Sequence, residues 1–116
     1  MADLSQQKCV ACSGNSSKLS DEEIKQYQAQ VTDWEIKEQD GEKRLEKCYK
    51  YSNFMKALAF TQKVGEEAEN QGHHPALLTE WGKVTVTWWT HDIGGLHQND
   101  FVMAAKTDKI SEQLAE

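Results

Sequence analysis

Apolar residues recur along this chain with two different periods, and the changes of period divide it into elements. Ser20-Asp21-Glu22-Glu23 has the form of a capping box: the Ser20 hydroxyl accepts from the Glu23 amide, and the Glu23 carboxylate reaches back to Ser20. Ile24, Tyr27 and Val31 then fall at i, i+3 and i+7, which predicts a short amphipathic helix to about Gln30. From Trp34 to Glu38 apolar side chains alternate, which is strand spacing. Asp40-Gly41 reads as a hairpin turn, since glycine tolerates a positive φ, and Lys43 to Tyr51 as the return strand. Leu45 lies on one face of that strand and Cys48 is displaced by one position, so the register stays open, with room for a bulge near Glu46.

The period then returns to 3.6. With Ser52 as its cap, a helix is expected from Asn53 to about Gln71, burying Phe54, Ala57, Leu58, Thr61, Val64 and Ala68. Lys56, Lys63, Glu66 and Glu67 lie on its other face, and Gly72 stands where a C-terminal cap belongs. Residues 76–81 and 83–90 form a second hairpin centred on Gly82, with Val84, Val86 and Trp88 on one face and Thr85, Thr87 and Trp89 on the other. Gly94-Gly95 breaks the chain, Asn99 or Asp100 starts a last helix, and Phe101, Val102, Ala105, Ile110 and Leu114 give it an apolar stripe. The expected fold is α+β in the order α-β-β-α-β-β-α, a four-stranded antiparallel sheet from two hairpins with three helices on one face. The other face is left to solvent or to another subunit. Residues 1–19 are polar and read as a flexible tail, and 20–116 as a single domain.

Composition narrows the class. The 116 residues suffice for one modest core, and a net charge of −6 with interspersed signs offers no footprint for nucleic acid. No apolar run approaches a membrane span, and the N-terminus lacks the apolar region of a signal peptide. A cytoplasmic protein is expected. Its three cysteines, Cys9, Cys12 and Cys48, cannot all pair and are read as reduced thiols. Cys9-Val-Ala-Cys12 lacks both the βαβ context of a redox motif and the nearby ligands of a zinc site, so a free-thiol tail is the simpler reading.

The chemistry-bearing residues crowd between Glu69 and Asp100. All four histidines (His73, His74, His91 and His97), the single proline Pro75, and Trp81, Trp88 and Trp89 lie there. His73 and His91 are equally far from Gly82, which predicts that they meet at the open end of the hairpin. Glu69 stands one helical turn before His73. Taken one at a time, each has an ordinary role: His73 and His74 in a polar loop, His97 at the surface, Glu69 as a solvated charge, Asp100 as a helix cap, and Trp81 as turn packing or as a flat wall for an aromatic ligand. Pro75 holds His74 extended, so His73 and His74 should point apart, which argues against one metal ion bound by His73, His74 and His91. Two further classes stay open at this level, a non-catalytic interaction protein and a small metal-binding protein.

Glu69-x-x-x-His73-His74-Pro75, followed after five residues by Trp81, after nine more by His91 and after eight more by Asp100, resembles the signature of the pterin-4a-carbinolamine dehydratases. The likeness extends from about Ser20 to the end of the chain. It implies removal of water from a 4a-hydroxytetrahydropterin to give the quinonoid dihydropterin, which recycles the cofactor of aromatic amino acid hydroxylases. By that resemblance His73 and His91 are acid–base candidates and His74 hydrogen-bonds the pterin. Glu69 orients His73, Pro75 and Trp81 shape the pocket with Thr90, and Asp100 tunes the site. No cofactor or metal is implied. The partners implied are the pterin, a second copy or copies in a homodimer or homotetramer, and a functional link to a hydroxylase, without nucleic acid or membrane. Animal members also serve a homeodomain transcription factor as dimerisation cofactors, a role nothing in this sequence carries.

Overall fold

Ser20 opens the first helix as its neighbours predict. Its hydroxyl accepts from the Glu23 amide at 3.2 Å, its own amide donates to the Glu23 carboxylate at 3.0 Å, and α1 spans Asp21–Gln28. The computed structural model describes residues 19–90 and 94–114. After α1 come β1 (Glu35–Gln39), β2 (Glu42–Lys50), α2 (Phe54–Gln71), β3 (Ala76–Glu80), β4 (Lys83–Trp88) and α3 (Gln98–Leu114). The strands form one antiparallel sheet in the order β1-β2-β4-β3, as the two hairpins require. Cys9 and Cys12, with the tail that carries them, lie outside the described residues.

All three helices share one core with the inward face of the sheet. Ile24 of α1, Ala57, Phe60, Val64 and Ala68 of α2, and Phe101 to Ala104 of α3 close over Leu45, Tyr49, Val84, Val86 and Trp88. Pairing of β1 with β2 runs unbroken from Glu35↔Glu46 to Gln39↔Glu42, so no bulge occurs near Glu46. The apolar alternation falters there because Lys47 takes the inward position between Leu45 and Tyr49. Its amine lies 4.7 Å from the Tyr49 ring centre and reaches a carboxylate on α3, so a long amphipathic side chain does the work of an apolar one. Both residues of the first turn have positive φ, Asp40 at 55° and Gly41 at 78°, which matches the twist of the flanking strands.

Two helix expectations need correction. The cap of α2 is Asn53, whose side chain accepts from the Lys56 amide at 2.9 Å, one residue later than Ser52. Its buried stripe is Ala57, Phe60, Val64 and Ala68, whereas Phe54 and Leu58 remain 41% and 42% exposed. The two stripes share three residues and differ in their flank. Phe60 takes the inward side because its ring meets Tyr49 at 4.7 Å and Tyr51 at 5.3 Å, adding aromatic contact to area burial. The helix α3 begins earlier than expected, with His97 rather than Asn99 or Asp100 before its first residue.

Asp108 of α3 fastens the helix layer to the sheet. It accepts from the Lys47 amine at 2.8 Å, from the Trp34 indole at 3.2 Å, and from the Tyr49 hydroxyl in a short hydrogen bond. Burial first, and the Asp108 carboxylate second, push the Tyr49 phenol far above its ordinary range. A phenol kept neutral in the folded chain contributes stability below its unfolded pKa of about 10, and that contribution is lost as pH rises beyond it. Tyr49→Phe should therefore lose about 1–3 kcal/mol at neutral pH through the missing hydrogen bond to a charged group. It should also unfold with a shallower alkaline limb than the parent in urea titrations near pH 7 and above pH 10. Identical alkaline limbs would show that Tyr49 ionises as readily folded as unfolded.

Candidate active site

The geometry around His73 begins with the end of α2. Gly72 adopts the left-handed conformation at φ 66°, its amide bonds to the Glu69 carbonyl at 3.2 Å, and the His73 amide bonds to the Ala68 carbonyl at 3.1 Å. This is the doubly hydrogen-bonded helix stop that a glycine after the last turn permits. It turns His73 inward: the residue is 9% exposed, and its ring lies parallel to Trp88 at 5.8 Å between centres. His74, one residue on and held extended before half-buried Pro75, is exposed. The adjacent imidazoles thus leave the chain in different directions, as the expectation from Pro75 required.

Each imidazole has its own carboxylate, and the assignment differs from the sequence reading. Glu69 lies 2.7 Å from Nε2 of His74 at the surface and does not orient His73. Asp100 holds His73, with Oδ1 2.6 Å from Nε2. Asp100 has no solvent exposure, and its Oδ2 accepts from the Thr90 hydroxyl at 2.8 Å and from the His97 amide at 2.9 Å. An ionised carboxylate only accepts. Opposite an ionised Asp100, the bond at Nε2 is one that the His73 ring donates, which leaves Nδ1 facing away from the carboxylate.

Thr90 sits level with His73 for a reason visible in the ladder. β3 and β4 pair Glu80 with Lys83 and Ala76 with Thr87, so the hairpin is symmetric about the Trp81–Gly82 link and not about Gly82. Continued outward, that register sets residue 90, not 91, opposite His73, and a shift of one residue exchanges the faces of a strand. The geometric ground for a His73–His91 encounter is thereby removed. His91 itself lies outside the described residues; Thr90 and Gly95, bridged by a 2.9 Å amide–carbonyl bond, flank the segment that contains it. Trp81, in the turn at the far end of the hairpin, is 72% exposed. His97 is half-buried, and its Nδ1 accepts from the Asn99 amide at 3.0 Å. The sequence reading left His97 as a surface residue. Its signal was available in the four-residue spacing His97-x-x-Asp100, which matches a capping box with an acid at its last position. Among the described residues no three His, Cys, Asp or Glu side chains converge as a metal site.

The family model described as pterin 4 alpha carbinolamine dehydratase matches residues 17–110. The chain belongs to the pterin-4a-carbinolamine dehydratase family, a family of hydro-lyases. A relative from Microcystis aeruginosa that carries the pterin-4-alpha-carbinolamine dehydratase name is 60% identical over 113 residues, covering 97% of both chains. Another of that name, from Nitrosococcus oceani, is 54% identical over 110 residues, 95% of this chain and 97% of its own. Among solved structures, the transcriptional coactivator/pterin dehydratase from Brucella melitensis superposes with a TM-score of 0.72 at 27% identity, over 80% of this chain and 97% of that one. The candidate site is thus assembled from residues just past the ends of α2 and β4 and from the start of α3, with Asp100 joining the three.

Replacing that carboxylate tests the assembly. Asp100→Asn substitutes an amide that presents two donors where three donors already converge, so it should cost about 2–4 kcal/mol of stability. It should also leave His73 without a fixed tautomer. Urea denaturation followed by tryptophan fluorescence reads the first effect, and an unshifted midpoint would show that Asp100 does not organise these segments.

Proposed function

We propose that this chain dehydrates a 4a-hydroxytetrahydropterin to the quinonoid dihydropterin by histidine acid–base catalysis, with His73 as one of the two proton-transfer groups. The observation that carries the reading is the buried His73–Asp100 pair, a single imidazole held through one ring nitrogen by a carboxylate, which leaves the other nitrogen for a proton of the substrate. The reaction asks for that. The 4a-hydroxyl leaves as water only if a proton reaches it, the N5 lone pair forms the new C=N bond, and a ring N–H proton is then lost. Nothing is oxidised or reduced, and imidazole is the side chain that gives and takes protons near neutral pH.

His91 takes the second proton-transfer role in this proposal on the strength of the family pattern, which it fills with nine residues between it and Trp81. His74, exposed and held by Glu69, hydrogen-bonds the polar edge of the pterin. Pro75 offers apolar surface to the ring, whereas Trp81, in the turn at the far end of the hairpin, is not placed to do so within one chain. The substrate arises when an aromatic hydroxylase spends a tetrahydropterin, so the chain would serve such an enzyme by returning its cofactor. The cytoplasm suits an odd number of cysteines. A homodimer or homotetramer is supported by exposed apolar side chains on α2 (Phe54, Met55 and Leu58) and on the β3 hairpin (Leu78 and Trp81).

Dehydration of freshly generated 4a-hydroxytetrahydropterin tests the roles. His73→Ala and His91→Ala should each lower kcat by roughly 10²–10⁴-fold, the contribution of a positioned acid or base, down to the floor set by spontaneous dehydration. His74→Ala should chiefly raise KM, as loss of ground-state binding does. Folded His73→Ala with a parental kcat at saturating pterin would remove the acid–base assignment. Light scattering should give a multiple of the 13.2 kDa chain mass, and a single chain at micromolar concentration would count against the oligomer.

A further inference from the structure

We propose that His97 is a positioning residue of the dehydration site, acting through the start of α3 on Asp100 and thence on His73. The proposal rests on the acid–base reading of His73. Helix N-caps are ordinarily short oxygen-bearing side chains, because an oxygen one or two bonds from the backbone reaches the free amides of the first turn. Here an imidazole fills that place. Nδ1 of His97 accepts from the Asn99 amide at 3.0 Å, the His97 carbonyl accepts from the Asp100 amide at 3.0 Å, and the His97 amide donates to Asp100 Oδ2 at 2.9 Å. The arrangement is a variant of the capping box: Asp100, the third residue of the helix, returns to the His97 amide, while the ring nitrogen takes the second amide of the helix, that of Asn99, instead of the third. To accept, Nδ1 must be unprotonated, so the His97 ring carries its proton on Nε2.

What sets this cap apart is the acid that closes it. The acid of a capping box usually has only the helix end to serve. Asp100 has no solvent exposure and spends its other oxygen on Nε2 of His73 at 2.6 Å. The conformation of the first turn of α3 and the orientation of the His73 ring are therefore set by one carboxylate. The chain just before the cap is anchored too, since Leu96 is buried and its carbonyl accepts the Leu19 amide at 3.0 Å. With the imidazole removed, the Asn99 amide loses this acceptor and the first turn loosens. Asp100 lies in that turn, so its carboxylate shifts relative to His73. A proton-transfer group displaced by a fraction of an ångström loses rate at the chemical step while the substrate still binds.

The test compares His97→Ala, His97→Ser and His97→Asn in the full chain. Two quantities are read: steady-state dehydration of 4a-hydroxytetrahydropterin, and the His73 Nε2–H resonance in protein labelled with ¹⁵N-histidine. His97→Ala should lower kcat by about 10- to 100-fold with KM little changed, and should shift or broaden the downfield His73 resonance. His97→Ser and His97→Asn, which restore a capping oxygen, should recover most of kcat and the resonance. A lowered melting temperature in His97→Ala with parental kcat and parental resonance would reduce His97 to a plain helix cap and overturn the proposal. Failure of both Ser and Asn to restore what Ala loses would overturn it as well, since the ring itself would then be required. His73→Ala, measured alongside, separates this from the broader reading. A parental kcat there overturns the acid–base role and this one with it. A deficient His73→Ala beside an unaffected His97→Ala overturns the positioning role alone.

Discussion

A carboxylate with no access to water must find its hydrogen bonds inside the protein, and Asp100 finds them on three separate stretches of chain. Transfer of an unpaired carboxylate into a protein interior would cost several kcal/mol, so the fold cannot close until His73, Thr90 and the His97 amide stand around it. These donors come from the end of α2, the end of β4 and the start of α3. His73 lies 27 residues before Asp100, Thr90 ten and His97 three, so only the last is a local contact. The placement of the His73 imidazole is therefore a condition for packing the domain, and no separate feature is needed to bring the ring to its place.

The surroundings make that condition rigid. Trp88 lies flat beneath His73, and its own indole donates to the Thr107 hydroxyl of α3 at 3.2 Å, so the floor under the ring is fixed to the helix that carries Asp100. Eight residues along the same helix, Asp108 repeats the device, gathering Lys47 and Tyr49 from β2 and Trp34 from the approach to β1. One acid ties α3 to the end of β4 and the other to the far half of the sheet. A helix held to a sheet at two points two turns apart cannot slide or rotate without breaking hydrogen bonds to a buried carboxylate at one point and a partly buried one at the other. The His73 ring, just past the end of α2, is thereby held by α3 and the sheet that pack around it.

Local signals carried the architecture. Ser20 with Glu23, Asp40-Gly41 and Gly72 each state a backbone requirement in one or two residues, and each is found where it was read. Where reading failed, two local solutions were nearly equal and a distant contact decided. Phe60 displaced Phe54 and Leu58 because Tyr49 on β2 and Tyr51 just past its end wait there, on a strand whose position no helical period reveals. Lys47 broke the apolar alternation because its partner, Asp108, lies 61 positions away. Within the site, His73, His74, Glu69, Thr90 and Asp100 were all named, but the pairing was not. Glu69 stands at helical spacing from His73 and nonetheless bonds His74, since the left-handed Gly72 turns the chain before either histidine. The one-residue error in the hairpin centre has a similar cause. A two-residue turn at Trp81-Gly82 and a turn centred on Gly82 differ only in which face residue 90 presents.

The same turn after α2 gives the two adjacent histidines unequal physical standing. The Glu69–His74 pair is exposed on both sides, so solvent screens it and little free energy holds its geometry. A ligand that offers better hydrogen bonds can redirect His74 at small cost. The His73–Asp100 pair is sealed, and moving the ring would strand a buried carboxylate. One imidazole can thus adapt to what binds while the other cannot move from what it must do. The proposed reaction would use both behaviours side by side. A glycine in the left-handed conformation, two histidines and a proline are a short stretch of sequence in which to obtain them, because each residue in turn fixes the direction of the next.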